Sequence, residues 1–182
     1  MIDKTMEKAL NSQMHKEMYS AYLYMSMSSY ADSIGLKGVA NWFMVQYHEE
    51  MIHGMKIYEY ITRQGGRPYL AAIEEPPADF ESVLVMFEKA LEHEQFITKS
   101  IHDLVNLAIE QKDHATHIFL QWYVTEQVEE EENVNDILAQ IRLVGEGKGD
   151  GIFMIDKELG SRVTNVPTDF SKGIESAMNA GQ

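Results

Sequence analysis

The chain has 182 residues, with 29 acidic against 15 basic side chains, for a formal net charge of -14. This length suits one domain with a sizeable core, and the negative charge disfavours nucleic acid and anionic membrane surfaces as partners. There is no cysteine, which excludes thiolate zinc sites and iron–sulfur clusters, so a transition metal would be held by oxygen and nitrogen. No membrane span or signal peptide is recognisable, and a cytoplasmic location is expected.

The first half of the chain predicts a helical hairpin. It has no proline before residue 68, and apolar residues such as Tyr22 and Met25 recur at spacings of three and four. A polar, glycine-containing segment interrupts this pattern near Gly35. We therefore predict a helix from about residue 5 to 33 and an antiparallel partner from about 38 to 64.

The second half repeats this arrangement, with a helix predicted from Phe80 to about Gln111 and a return helix from 115 to 143. The proline-containing connection at 65–77 is long enough, if extended, to cross a hairpin from end to end. The predicted fold is therefore all-α, a four-helix bundle with one long crossover connection.

A glycine-rich joint and a short amphipathic segment at 152–159 follow the fourth helix. Residues 161–182 are polar and dotted with glycine. We expect residues 1–160 to form one domain and 161–182 to form a flexible tail.

Four carboxylates lie at similar distances from the two predicted hairpin turns, which places them near one level of the bundle. These are Glu17, Glu50, Glu94 and Glu130. A constant offset relates the hairpins, so that positions in the first correspond to positions in the second: Glu17 to Glu94, Glu50 to Gln127, and His53 to Glu130. The two halves of the site are therefore similar but not identical.

A lone Glu on one helix with Glu-x-x-His on the next is the template of di-metal carboxylate proteins. The i, i+3 spacing puts Glu50 and His53 on one helix face. One ion would bind Glu17, Glu50 and His53, and a second would bind Glu50, Glu94 and Glu130, so Glu50 bridges them. Several carboxylates with one imidazole and no sulfur favour iron or manganese, and iron is the redox-capable choice.

An outlying acidic set, Glu49, Glu126 and Glu129, predicts a third cation position beside the pair. Like charges three and four residues apart destabilise a bare helix, so their clustering makes better sense with a cation present. The alternative is a solvated acidic surface, which is our expectation for Glu131 and Glu132.

Tyr24 lies two helical turns after Glu17 on the same face. It is placed to donate a hydrogen bond or an electron to an oxidised iron, and packing in the core is the alternative. For Trp122, one turn before Glu126, packing is the favoured interpretation.

Together these segments resemble the bacterial non-haem ferritins over residues 1–160. The matching parts are Glu17, Tyr24, 45–53 (VQYHEEMIH), Glu94, 120–130 (LQWYVTEQVEE) and the fifth-helix segment 150–159. The resemblance implies a cage of 24 identical subunits with a ferric mineral inside. It also implies a ferroxidase centre in each bundle, where ferrous ions are oxidised by dioxygen or hydrogen peroxide.

The motif match implies a role for each site residue. The paired-iron ligands would be Glu17, Glu50, His53, Glu94 and Glu130, with Gln127 near the second iron. The third iron site would be Glu49, Glu126 and Glu129, and Tyr24 would be the central tyrosine.

The chain departs from related ferritin patterns at three places. Gln127 and Glu130 stand where bacterioferritins have a second Glu-x-x-His. This difference disfavours a permanently bound, symmetric di-iron cofactor and favours a site that releases its iron. Met51 follows the bridging Glu as in haem-binding bacterioferritins, but the rest of that pattern is missing and no haem is expected. At the positions where animal ferritins line a pore with acids, this chain has His117 and Leu120.

Two rival functions are disfavoured. The missing cysteines argue against a rubrerythrin-like peroxidase. The intact ligand set argues against a non-catalytic subunit that only nucleates mineral.

Overall fold

The computed structural model of the chain describes residues 2–145, 150–164 and 173. Its helices in these ranges are α1 (Lys4–Ser33), α2 (Lys37–Arg63), α3 (Val83–Glu110), α4 (His114–Leu143) and α5 (Gly151–Leu159). The predicted helix bounds are confirmed to within three residues. Within the described ranges, no helix combines the length and the apolar character that crossing a lipid bilayer requires.

Local side chains and one glycine set the ends of α1. The carboxylate of Asp3 accepts a hydrogen bond from the Thr5 N–H at 2.7 Å, which satisfies one of the free donors at the helix start. At the other end Gly35 has φ +86°, a conformation that side-chain-bearing residues adopt rarely. The Leu36 N–H then returns to the Ala31 carbonyl at 3.0 Å, and the chain turns into α2.

Side-chain caps also set the starts of α3 and α4. The Ser82 hydroxyl accepts from the Val85 N–H at 3.2 Å, so α3 begins three residues after the predicted Phe80. Asp113 caps α4 in the same way, accepting from the Thr116 N–H at 3.0 Å. The difference at α3 arises because the apolar pattern includes Phe80, a buried residue that precedes the helix.

The described chain groups into two compact units, and the first contains α1, α2, the connection as far as Asp79 and the chain from Asp156 onward. The facing sides of α1 and α2 bury apolar side chains such as Met14 and Phe43. Tyr22 and Met25, which belong to the apolar pattern of α1, are instead 43% and 37% exposed. They line an apolar cavity of about 300 Å³.

The connection after α2 runs along α1. The Arg67 N–H donates to Glu7 in the first turns of α1 at 3.1 Å, and the Ser26 hydroxyl donates to the Pro77 carbonyl at 2.7 Å. Further hydrogen bonds at Asn11 lie between these two points. The predicted crossing of the hairpin from end to end is confirmed.

The end of α5 packs against the start of α2 in the same unit. No side chain of its own caps α2, and the Val39 N–H donates instead to Asp156 Oδ1 at 2.9 Å. The chains approach so closely that a Cβ at Gly38 would overlap the Asp156 carbonyl oxygen. Glycine is therefore required at position 38 for α5 to dock.

The second unit, Phe80–Ile155, contains the α3–α4 hairpin and the first residues of α5. Phe87 and Tyr123 are among its fully buried side chains. An exposed ion pair, Arg142 with Glu88 at 3.1 Å, links its two helices and contributes little to stability. Most of the predicted tail, 161–182, lies outside the described residues, and its flexibility stays a prediction.

Candidate metal centre

Three of the predicted ligands converge in the first unit. α1 places Glu17, and adjacent turns of α2 place Glu50 and His53, all at most 3% exposed. One ligand atom from each lies within 4.8 Å of the others, close enough to hold one metal ion. The i, i+3 spacing on α2 produces this convergence, as the sequence predicts.

Glu17 fits a cation better than it fits the metal-free fold. Its Oε1 accepts a hydrogen bond from Gln13 Nε2 at 2.8 Å, whereas its buried Oε2 has no hydrogen-bond partner among the described residues. Burial raises the pKa of Glu17, although the nearby His53 and the Gln13 hydrogen bond act in the opposite direction. A cation bound at Oε2 would remove both the unmet hydrogen-bonding need and the cost of a buried charge.

Glu50 orients the imidazole of His53. Glu50 Oε2 lies 3.2 Å from His53 Nδ1, and both side chains are buried. Nδ1 donates to Glu50 when it carries the proton, and in the other tautomer its lone pair faces the same space as the Glu50 oxygen. The carboxylate and the imidazole together form a donor set suited to iron or manganese.

The second unit holds the other predicted ligands, Glu94 on α3 with Gln127 and Glu130 on α4, all at most 4% exposed. Gln127 Nε2 donates to Glu94 Oε2 at 3.1 Å, so the amide nitrogen orients the carboxylate. The Gln127 amide and Glu94 oxygens are donors of the kind that iron and manganese accept.

Gln127 has a second partner, which sequence analysis missed. Its Nε2 also donates to Thr98 Oγ1 at 3.3 Å, and the Thr98 hydroxyl donates to Glu131 Oε1 at 2.6 Å. Glu131, expected on an acid-rich surface, is half-buried, and its Oε1 accepts this hydrogen bond. Glu132 is exposed as expected.

The outlying acidic residues differ in environment. Glu126 is half-buried and Glu129 is exposed. Glu49 is half-buried, and its Oε2 forms an ion pair with Arg162 Nη2 at 2.7 Å. Nothing in the spacing of the sequence indicates this partner, which lies far away along the chain.

Two further side chains near the predicted ligands have defined surroundings. Tyr24 is fully buried and stacks on Phe43, with ring centroids 5.9 Å apart, so it packs in the core whatever its redox role. Burial lowers the pKa of His93, next to Glu94 on α3, to about 4, which keeps this imidazole neutral at physiological pH. The predicted redox role of Tyr24 stays a prediction.

A family profile described as a ferritin-like domain matches residues 7–144. The chain belongs to the ferritin family. It is 42% identical over 157 residues to a bacterial non-heme ferritin of Campylobacter jejuni, covering 86% of this chain and 93% of that protein. It is also 40% identical over 164 residues to a probable bacterial non-heme ferritin-like protein of Haemophilus influenzae, covering 90% of this chain and 99% of the relative.

Solved ferritin structures confirm the predicted fold class. An open-pore ferritin of the hyperthermophilic archaeon Archaeoglobus fulgidus is similar to this chain with a TM-score of 0.87 and 52% sequence identity. The match covers 90% of this chain and 100% of the archaeal one. The fold is all-α, a four-helix bundle with a short fifth helix, and the resemblance read from the motifs is confirmed.

Proposed function

We propose that this ferritin-family chain stores iron and oxidises ferrous iron at a dinuclear centre. The observation that supports this most directly is the buried group of Glu17, Glu50 and His53, in which one carboxylate oxygen has no hydrogen-bond partner among the described residues. The relatives reported above are named ferritins, which does not favour a rubrerythrin-like peroxidase. Iron is the substrate and the stored cargo.

In this proposal Glu17 and His53 bind one ferrous ion, Glu94 and Glu130 bind a second, and Glu50 bridges them. Gln127 positions Glu94 through the hydrogen bond from its amide nitrogen. Each ion gives one electron, and dioxygen takes two electrons and two protons to form hydrogen peroxide. When peroxide is the oxidant, the same two electrons and two protons convert it to two water molecules.

The finer parts of the proposal rest on the motif match. Glu49, Glu126 and Glu129 bind a third ion, and the buried Tyr24 supplies an electron or a hydrogen bond. Twenty-four copies form a cage in the cytoplasm, and ferric mineral fills its cavity. Resemblance to proteins named ferritins supports assembly of this kind.

Iron retention separates storage from a small di-iron enzyme. Metal-free protein receives a large excess of ferrous iron in air and is then passed through a sizing column. We expect a particle of many chains that keeps far more iron per chain than the two or three ions its side chains could ligate. About two irons per chain in a small particle would contradict the storage function.

Ligand variants test the oxidation site. Glu50→Gln and His53→Ala should slow rapid ferrous oxidation by about two orders of magnitude, because each removes a donor from the inner site. Glu132→Gln is the matched control, since it changes an exposed carboxylate. Rapid oxidation that persists in both ligand variants would show that the oxidation chemistry lies elsewhere.

A further inference from the structure

The segment after α5 is fixed on the surface of α2. Asn41 Nδ2 donates to the Arg162 carbonyl at 2.9 Å and to the Leu159 carbonyl at 3.3 Å. The Arg162 guanidinium carbon lies 5.0 Å from the centroid of the Trp42 ring, a cation–π distance. Arg162 is thus held both by its backbone and by its side chain.

This fixed guanidinium meets a predicted iron ligand. Arg162 Nη2 lies 2.7 Å from Glu49 Oε2, and the two side chains are only 24% and 18% exposed. A charge-assisted hydrogen bond in such a setting is stronger than a fully solvated one. Arg162 therefore places a permanent positive charge on the carboxylate of Glu49, the residue that directly precedes the predicted bridging ligand Glu50 on α2.

We propose that Arg162 is a positioning residue that competes with iron for Glu49 and thereby sets the affinity of the third cation position. This inference rests on the proposed function, in which Glu49 is a third-site ligand. A guanidinium does not lose its proton at physiological pH, so an incoming cation must displace it from the carboxylate. The third ion therefore binds more weakly than the inner pair and leaves more readily.

Zinc binding to metal-free protein tests this without any turnover, because Zn²⁺ is redox-inert. Isothermal titration calorimetry of the wild type should show three bound Zn²⁺ equivalents per chain. Two of them should bind with higher affinity, and the third, the weaker equivalent, with lower affinity. Arg162→Gln should tighten the weaker equivalent about tenfold, by removing its competitor. Arg162→Lys keeps the charge and should stay within about threefold of the wild type.

Arg142→Gln is the matched control, because it removes one positive charge from an exposed ion pair with Glu88. It should leave all three equivalents unchanged. The double variant Glu49→Gln with Arg162→Gln should not show the tighter binding of the weaker equivalent, because it lacks the Glu49 carboxylate. The proposal is wrong if Arg162→Gln binds the weaker equivalent no more tightly than Arg142→Gln does.

Asn41→Ala provides a second approach that keeps the arginine. Loss of the hydrogen bond to the Arg162 carbonyl should loosen the segment and tighten the weaker equivalent about threefold. If neither Asn41→Ala nor Arg162→Gln changes that equivalent, the proposal fails. Failure of the proposed function would look different, because the two tighter equivalents would then be missing from the wild type.

Discussion

Glu17, a predicted metal ligand, is an unfavourable residue in the metal-free fold. It is 1% exposed, and only one of its two oxygens has a hydrogen-bond partner in the described part of the chain. Burial raises its pKa above the ordinary value of 4.5. At neutral pH the metal-free protein therefore either holds a costly buried charge or binds an extra proton.

The raised pKa of Glu17 predicts how the stability of the metal-free protein changes with pH. Because the folded-state pKa is raised, the stabilising contribution of Glu17 is present below 4.5 and is lost as the pH rises through the raised value. Metal-free wild type should lose more stability between pH 5 and pH 8 than Glu17→Gln, as measured by urea unfolding. Equal losses in the two proteins would contradict the prediction, and Glu132→Gln should behave like the wild type.

Gln13 is the hydrogen-bond partner that the structure gives to Glu17. Replacing it with Ala leaves Glu17 Oε1 without its 2.8 Å hydrogen bond. Metal-free protein should lose about 1–3 kcal/mol of unfolding free energy. The affinity for the first Zn²⁺ should fall about tenfold, because the carboxylate is no longer oriented.

Urea unfolding and zinc titration of Gln13→Ala measure these two effects. Ser12→Ala, an exposed change on the same helix, is the control. Unchanged zinc affinity in Gln13→Ala would show that Glu17 does not need this partner.

At the scale of elements, α2 depends on α5 for its first turn. The N-cap position of α2 is Leu36, which offers no side-chain acceptor, and Asp156 accepts from the Val39 N–H instead. Gly38 allows the backbones of α2 and α5 to approach closely enough for this contact. A cap supplied from more than a hundred residues away makes the helix start depend on tertiary packing.

Gly38→Ala should displace α5. The added Cβ would overlap the Asp156 carbonyl, and we expect a loss of about 1–3 kcal/mol in urea unfolding. The tryptophan emission should also change, because Arg162 lies over Trp42 in the docked segment.

Gly54→Ala is the matched control for Gly38→Ala. It is in the same helix, and its Cβ would meet the nearest neighbour at an ordinary 3.4 Å. Helix propensity favours Ala at both positions, so Gly54→Ala should be neutral or stabilising by up to about 1 kcal/mol. Similar stabilities for the two variants would contradict the clash at position 38.

Helix existence was predictable because proline, glycine and apolar spacing are local signals. The exact start of α3 was less so. The apolar pattern runs back to Phe80, but the Ser82 hydroxyl caps the helix and fixes its first turn. Phe80 is buried although it precedes the helix, and the sequence pattern does not distinguish it from a buried residue inside the helix. Similarly, the apolar pattern of α1 includes Tyr22 and Met25, although the structure exposes both.

At the scale of the whole molecule, two related hairpins contribute unequal parts of the predicted centre. The first contributes Glu50 and His53, and the second has Gln127 and Glu130 at the corresponding positions. An amide is a weaker ligand than a carboxylate and carries no charge. The two iron positions should therefore differ in affinity.

Restoring the repeat should strengthen the second position. The double change Gln127→Glu with Glu130→His should tighten the second Zn²⁺ equivalent about tenfold, because a charged carboxylate replaces the neutral amide and an imidazole, a good zinc ligand, replaces the Glu130 carboxylate. The metal-free variant should be less stable in urea, because position 127 would no longer donate to Glu94 and two carboxylates would face each other.

Added Zn²⁺ should restore the stability of that double variant, since binding to the folded state shifts unfolding. The matched control is Glu132→Gln, which changes an exposed acid outside the predicted ligand set. A second equivalent that stays as weak as in the wild type would show that these two positions do not hold a metal.

The sequence by itself determined the helices, the crossover and the grouping of Glu17, Glu50 and His53, because helical periodicity and i, i+3 spacing are properties of short stretches of chain. Tertiary structure alone decided the contacts between side chains that are distant in sequence. Gln13 lies one turn from Glu17 and could have been found by its spacing, whereas the pairing of Arg162 with Glu49 joins residues far apart in sequence. Such contacts depend on how α5 docks, and no local pattern encodes that geometry.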